Sequence, residues 1–516
     1  RLKSRSSRFN PANSLRIKPN VYDYPKIPKI NGQKNQNQED FMKKEEAKWY
    51  EKASGKKQHK AENSAKFAAK NELKKQRKEE KTQKNEAKTE DKKTPQKKVN
   101  AENRRKSNFS QNKSSKTVPM FELKNIPADS LEILKNFGKI VAETRNLSPK
   151  QQVLLPKQIK NLSHQLTDER NSRRLGYMND ASQLSAYISY FMWWNLIRLT
   201  RLFANFPKNA FNLKEEDVCL DLGSGPLTVP CALWLARPEL RSKKLTFYVL
   251  DLSQGALSAG EEIFLSIAAK TLTEEQNPWK IVRVKGAIGT QIKQKPSLIT
   301  CANVFNELAQ TNEMPPDFLA KNYTNDILKY FDKETDSAQT VLLIEPGDPH
   351  SARLVSLMRD SFIRKNFMPL SPCPHIHVCP MAGRTSSNPG GKWCNFAFDT
   401  ADAPEELLKF SKNANLQKER ASLSYVLVSK EKIAKPEGKT SQNDSENLKL
   451  RIASDFIKLP ELHKSAYYCC SEIGLVLAVD KTNVHPKNGD LLSVKRPKSL
   501  ENADYDKKSG AVILEI

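Results

Sequence analysis

The sequence predicts an α/β protein whose core is a parallel sheet covered by helices on both faces. Two observations carry this. From Asp217 onward, apolar strand-like runs alternate with segments of helical spacing, the pattern of successive β-α-β units. The first of these runs ends in a glycine turn, Asp221-Leu222-Gly223-Ser224-Gly225-Pro226, placed between strand and helix.

At 516 residues the chain has room for two or three domains. Its charge is unevenly spread. Residues 1–117 hold 34 Lys and Arg against 14 Asp and Glu, a net +20 of the whole-chain +27. This Lys-, Asn-, Gln- and Glu-rich stretch has too little apolar surface to offset the entropy of ordering, so it is expected to be a basic disordered tail. A polybasic arm gives salt-dependent, sequence-blind affinity for RNA; a solubilising or targeting role is the plainer alternative. The opening RLKSRSSRFN is Arg- and Ser-rich and free of acids, as transit peptides are. The longest uncharged run, residues 181–197, is interrupted by Gln183, serines and Asn195, which suits a buried amphipathic helix better than a membrane span. No membrane association is expected.

Order is predicted to begin near Val118. Residues 129–137, 156–170 and 180–203 have helical spacing and form a helical N-terminal region, 118–205, in which the aromatics of SQLSAYISYFMWWNLIRLTRLF are read as packing. Strands are expected at VCLDL, LTFYVLD (245–251), IVRVKG (281–286), SLITCANV (297–304) and TVLLIE (340–345). Helices are expected over 226–235, 254–268, 317–331 and 351–364, and LSYVLVSK (423–430) as a late edge or hairpin strand. This domain spans 206–434. A linker, 435–447, leads to a small β-rich C-terminal domain over 448–516, with a barrel as one possible form and short runs such as LKLRIAS, GLVLAV, LLSVKR and AVILEI.

Three motifs carry chemistry. In the first, glycines let backbone approach a ligand closely and adopt positive φ, and the second strand ends in Asp251, where an acid can grip a ribose diol. With no third glycine on dinucleotide spacing, D-L-G-S-G is more typical of S-adenosylmethionine sites. The candidate cofactor residues are therefore Asp221, Gly223, Ser224, Gly225 and Asp251. The second motif, CANVFNEL, adds Asn303 at the carboxyl end of the fourth strand, with Asn306 and Glu307 beside it; capping of the next helix is the alternative. The third is Ser371–Phe396, with Cys373, Cys379 and Cys394 among prolines and glycines in a stretch that no periodicity explains. Thiols gathered in irregular backbone point to a metal-binding insertion, with Cys469 or Cys470 as a fourth ligand and His375 and His377 as alternatives. Both Zn²⁺ and a [4Fe–4S] cluster suit four cysteines from two separated segments. Cys219, Cys231 and Cys301 lie in apolar segments and read as core. The chain shows no Ser/His/Asp pattern, no P-loop and no paired catalytic carboxylates, so no catalytic residue is assigned.

Taken together, DLGSGP (221–226), NVFNEL (303–308), IEPGDPHSARLVSLMRDSF (344–362), SPCPHIHVCP (371–380), KWCNF (392–396), LSYVLV (423–428) and Cys469-Cys470 before Gly474 resemble the methyltransferase-like proteins associated with the mitochondrial ribosomal small subunit and their bacterial relatives. The resemblance spans roughly residues 170–480. It implies a Rossmann-like S-adenosylmethionine-dependent methyltransferase fold and a [4Fe–4S] cluster on Cys373, Cys379, Cys394 and, best matched, Cys470. It also implies action on small-subunit rRNA and proteins during assembly or translation, in a mitochondrial matrix or bacterial cytoplasm, with no DNA partner expected. An active rRNA methyltransferase is the alternative function. One departure stands out: Leu227 follows Pro226 where relatives often have glycine, and its side chain is expected to crowd the methionine end of the cofactor site.

Overall fold

The computed structural model describes residues 117–516 except 168–175, 311, 333–337, 384, 386–389, 431–445, 460–463, 482–483 and 502. The expected basic tail, up to residue 116, and most of the expected linker lie outside the described residues.

Among the described residues, eight strands form the main sheet: β2 Val218–Leu222, β3 Thr246–Asp251, β4 Lys280–Lys285, β5 Leu298–Ala302, β6 Gln339–Glu345, β7 Met368–Ser371, β8 Phe396–Asp399 and β9 Arg420–Lys430. Their order is β4-β3-β2-β5-β6-β9-β7, with β8 also paired to β9. The five strands β2–β6 are parallel, while β9 runs antiparallel to β6, β7 and β8. Successive side chains serve opposite faces. Cys219, Phe247, Val249, Leu342 and Ile344 pack under one helical layer, while Leu220, Leu250, Ile299, Val341 and Leu343 pack under the other. Burial on both faces is why these strands read as continuous apolar runs.

The chain order reverses on either side of β2, so a crevice opens beyond its carboxyl end, where parallel α/β sheets bind ligands. This strand order makes the fold a Rossmann-like one of the methyltransferase type. Helices Thr228–Ala236, Gln254–Ala269, Pro316–Leu328 and Pro349–Ile363 cover the faces. Ser253 caps the second of these by accepting from the Ala256 amide. Asp348 caps the last, ahead of Pro349, by accepting from the His350 and Ser351 amides.

Three expectations need correction. β9 is not an edge strand; it is inserted between β6 and β7. All but its two end residues are buried or half-buried, and its side chains pack on both sheet faces. The first expected helix breaks at Asn136 into Ala128–Lys135 and Phe137–Thr144. The second begins at Pro149, not Pro156: Ser148 and Gln151 form a reciprocal capping box, and Pro156 lies inside the helix Pro149–Thr167. Helix Ala181–Ala186 continues through a π-helical turn, Tyr187–Met192, into Trp193–Ala204.

The C-terminal region forms a second sheet from β10 Asn447–Ile452, β11 Ile457–Leu459, β12 Lys464–Ser471, β13 Gly474–Asp480, β14 Leu491–Lys495 and β15 Val512–Glu515. The two-residue β1, Thr117–Val118, joins it through Thr117 opposite Leu492. Its order, β1-β14-β10-β12-β13-β15, has two ends, so among the described residues it is an open sheet rather than a barrel. No described helix is long and apolar enough to cross a membrane.

Candidate functional site

The glycine turn after β2 bends sharply because Gly223, Gly225 and Leu227 all have positive φ, at 68°, 50° and 56°. The Gly223 and Ser224 amides donate to the Leu250 carbonyl (2.8 and 3.0 Å), tying the turn to the end of β3. Asp251 completes the tie: Oδ2 accepts from the Gly225 amide at 2.9 Å and Oδ1 from the Ser253 amide at 2.8 Å. Its carboxyl pKa is raised by burial, against the pull of those amides.

Above the turn lies a cavity of about 310 Å³ lined by Gly223, Ser224, Gly225, Asp251 and Asn303, with Gly176, Tyr177 and Met178 closing it from the N-terminal region. Asn303 takes φ 59° at the end of β5, a conformation asparagine tolerates better than most residues. Of the six residues expected at a cofactor site, five line this cavity. Asp221 does not: it is an interior residue of β2, whose Oδ1 accepts from Thr300 Oγ1 at 2.6 Å while Oδ2 is buried without a partner. Burial pushes its pKa up to about 7.

Leu227 does not crowd this cavity and is absent from its lining. Its left-handed backbone turns the side chain into the core, against Gly260 of the second helix. A Cβ at Gly260 would stand 2.7 Å from Leu227 Cδ1 and 2.4 Å from the Pro226 carbonyl carbon. Close helix-to-turn packing therefore depends on a glycine far along the chain, which the local motif did not reveal. Glu345, at the end of β6, was also missed. Its carboxylate is buried and accepts from the Val304, Phe305 and Asn306 amides at 2.8–3.2 Å, holding the Asn303 turn in place; burial pushes its pKa up to about 8. The acid of E-P-G ending a strand was the available signal.

The cysteines of Ser371–Phe396 lie in the segment that connects β7 to β8. All eight cysteines of the chain are free thiols. On β12 adjacent side chains point to opposite faces. Cys469 enters the core of the C-terminal sheet and donates to the Tyr467 carbonyl. Cys470 faces the insertion, where its sulfur lies 3.0 Å from His375 Nε2. Burial raises the Cys470 pKa well above the ordinary thiol range, and the charges of Cys373, Cys379 and Cys394 raise it further. Cys379 is pushed up to about 11 by burial and then by Cys373. Burial and their mutual proximity thus favour the protonated thiol form of these cysteines.

Two arginines absent from the sequence reading surround them. Arg359, buried in helix Pro349–Ile363, donates to the carbonyls of His375 (2.6 Å) and His377 (2.7 Å) and to Cys373 Sγ (3.3 Å). Arg451 of β10 donates to the Pro372 carbonyl (2.9 Å) and the Gly489 carbonyl (2.7 Å), so the C-terminal sheet holds the insertion by its backbone too. His375 Nδ1 is buried without a partner, and burial followed by the Arg359 charge depresses its pKa to about 4. Among the described residues no group of three or more His, Cys, Asp or Glu is arranged to hold one metal ion. Four thiols flanked by Arg359 and Arg451 are the donor set on which the expectation of a metal ion or cluster rests.

A family model described as "Rsm22: Mitochondrial small ribosomal subunit Rsm22" matches residues 185–442. No curated protein is similar enough in sequence to match. Among solved structures, this chain is similar to precorrin-6y C5,15-methyltransferase from Geobacter metallireducens GS-15. Identity is 10%, covering 43% of this chain and 84% of that one, at a TM-score of 0.25. It is also similar to a SAM-dependent methyltransferase from Geobacter sulfurreducens in complex with S-adenosyl-L-homocysteine, at 12% identity over 45% and 89% of the chains, TM-score 0.23. A SAM-dependent methyltransferase from Thiobacillus denitrificans, also with S-adenosyl-L-homocysteine, matches at 12% identity over 46% and 89%, TM-score 0.23. Likenesses this loose carry no argument, and the fold stands on the strand order of this chain.

Proposed function

The chain belongs to the Rsm22 family of the mitochondrial small ribosomal subunit, and from that premise we propose that it is a methyltransferase-like factor that binds small-subunit rRNA and proteins in the mitochondrial matrix. In this reading it takes S-adenosylmethionine in the cavity over the glycine turn and a [4Fe–4S] cluster on Cys373, Cys379, Cys394 and Cys470.

The observation that supports the reading best is the pairing of Asp251 with the Gly225 amide, both of which line the cavity over the glycine turn. An acid at the end of the second strand is where an adenosine ribose diol is gripped, and the open backbone of Gly223 and Gly225 admits the methionine portion. S-adenosylmethionine, when bound, would supply an electrophilic methyl group. Asp251 would orient the ribose, Asn303 would hold the wall opposite, and Glu345 would keep the Asn303 turn rigid.

The thiol site has a structural part in this reading. Three ligands hang from the main sheet and the fourth from β12, so a bound cluster would clip the two sheets together. Zn²⁺ is the competing occupant. The paired sheets would then present one surface to RNA, with the basic tail adding salt-dependent affinity.

A second reading, an active rRNA methyltransferase, is favoured by Asn303 and Glu307 lining the cofactor cavity; transfer to a base nitrogen can run largely by positioning. Calorimetry with S-adenosylmethionine, followed by labelled-methyl incorporation into small-subunit rRNA, tests both. Binding without incorporation supports the factor. Incorporation that Asp251→Ala abolishes supports the enzyme, and absence of binding removes the cofactor from both.

A further inference from the structure

Helix Pro149–Thr167 packs on the body through Leu155, Ile159 and Leu162, which are buried. The opposite face is exposed and carries Lys150, Lys157 and Lys160. Over its 19 residues the helix has no Asp or Glu, whereas surface helices gain from pairing the two signs one turn apart. Among the described residues no acid pairs with any of these three lysines. At 1.5 Å per residue they string positive charge along about 15 Å of the surface.

The start of the helix sharpens the imbalance. The positive pole of a helix favours Asp or Glu in the first turn, but this first turn has Lys150 and no acid. The capping box closes on Gln151, whose side chain accepts from the Ser148 amide at 2.8 Å without adding negative charge. Lys150 thus stands where a cation costs stability, and such breaks of a local rule are expected at functional sites.

The chemistry of the face selects its occupant. Lysine is depleted from protein–protein interfaces. A helix that lies on a bilayer turns its apolar face outward, whereas here that face is used by the core, and only Val153 and Leu154 stand exposed among the lysines. Unpaired lysines match phosphates, and Asn161, exposed beyond Lys160, adds an amide of the kind that contacts phosphate and sugar.

We propose that the outer face of helix Pro149–Thr167 lies against the phosphate backbone of small-subunit rRNA, with Lys150, Lys157 and Lys160 each neutralising a phosphate. This rests on the reading of the chain as an rRNA-binding factor and names the surface of the folded body that does it. Phosphate contacts fix orientation and carry no sequence information directly, so the face positions the protein and reads no base.

The test is filter binding of the full chain to small-subunit rRNA across a salt series. The triple variant Lys150→Gln, Lys157→Gln, Lys160→Gln is expected to bind about tenfold more weakly or worse, with the salt slope reduced by about 2 to 3. All three positions are exposed, so the variant keeps its fold. A charge-matched control, Lys365→Gln, Lys409→Gln, Lys449→Gln, alters exposed positions elsewhere and is expected to lose less than about threefold. Val153→Ser is expected to leave rRNA affinity unchanged. Equal losses in the two triple variants would reduce the effect to net charge and overturn the proposal, as would no loss in the helix variant. A loss in Val153→Ser equal to that of the helix variant would make the face an apolar docking site for protein, and lysine-dependent binding to phosphatidylglycerol vesicles tighter than to rRNA would make it a membrane contact; either overturns the proposal. In each of these cases the unaltered chain still binds rRNA. If it does not, the functional reading itself fails, and the proposal with it.

Discussion

The Nε2 of His375 lies 3.0 Å from the sulfur of Cys470, although 95 residues separate them in the chain. One residue belongs to the insertion between β7 and β8, the other to β12 of the second sheet. With Arg451 donating from β10 to the Pro372 carbonyl, the contact makes the cysteine insertion one place where the two sheets meet, alongside the Arg420–Asp455 ion pair.

Arg359 is the keystone of that insertion. Replacing it with Met leaves the His375 and His377 carbonyls without their donor and removes positive charge from beside Cys373. Removing one partner of a buried charged network costs about 3–5 kcal/mol. Arg359→Met is therefore expected to lower the thermal midpoint sharply and to reduce bound metal, while Arg359→Lys, unable to span three acceptors, falls between. Denaturation curves alongside metal analysis check this; an unchanged midpoint would refute it.

Asp251→Ala removes the carboxylate that the reading assigns to a ribose diol. The expected loss is one or two charge-assisted hydrogen bonds, roughly 10- to 100-fold in S-adenosylmethionine affinity. Calorimetry measures it. Affinity equal to that of the unaltered chain would place the ribose elsewhere.

Asp221 gives a pH signature. Its folded pKa, pushed up to about 7 by burial, exceeds its ordinary value of 3.8. Between those values the folded state binds more protons than the unfolded one, so the Asp221 contribution to stability falls as pH rises from about 4 to about 7. The swing is of order 2–4 kcal/mol. Asp221→Asn is expected to remove this slope, whatever constant offset it adds. Chemical denaturation at pH 5 and pH 7.5 for both chains checks it, and equal slopes would count against a protonated Asp221.

Truncation of the basic arm should weaken RNA binding and flatten its dependence on salt. The cut belongs after residue 116, because Thr117 and Val118 pair with Leu492 and Leu491. Filter binding to small-subunit rRNA across a salt series measures the slope. An unchanged slope would remove the arm from RNA recognition.

What was legible in the chain follows from burial. β2, β3, β5 and β6 are covered on both faces, so their runs are continuously apolar and hard to mistake. The glycine turn declared itself through residue types that tolerate positive φ. β12 was hidden because its two faces have different duties: KSAYYCCS mixes core residues with Cys470, and the cysteine pair reads as ligands before it reads as strand. Arg359 was hidden in an amphipathic helix, where a charge ordinarily marks the solvent side. Leu227 misled for a related reason. Its direction depends on a left-handed backbone and on Gly260, neither of which a local motif contains. The expected edge strand β9 has no sequence cue for its place, since insertion between β6 and β7 is a matter of topology.

The central claim is that Cys470, not its neighbour, completes a thiolate site joining the two sheets. The decisive measurement is iron and acid-labile sulfide in anaerobically purified protein, with Cys470→Ser and Cys469→Ser alongside. The account predicts a brown protein with iron and sulfide in equal amounts, both lost in Cys470→Ser and retained in Cys469→Ser. Colourless protein carrying zinc, or loss of iron in Cys469→Ser with retention in Cys470→Ser, would contradict it.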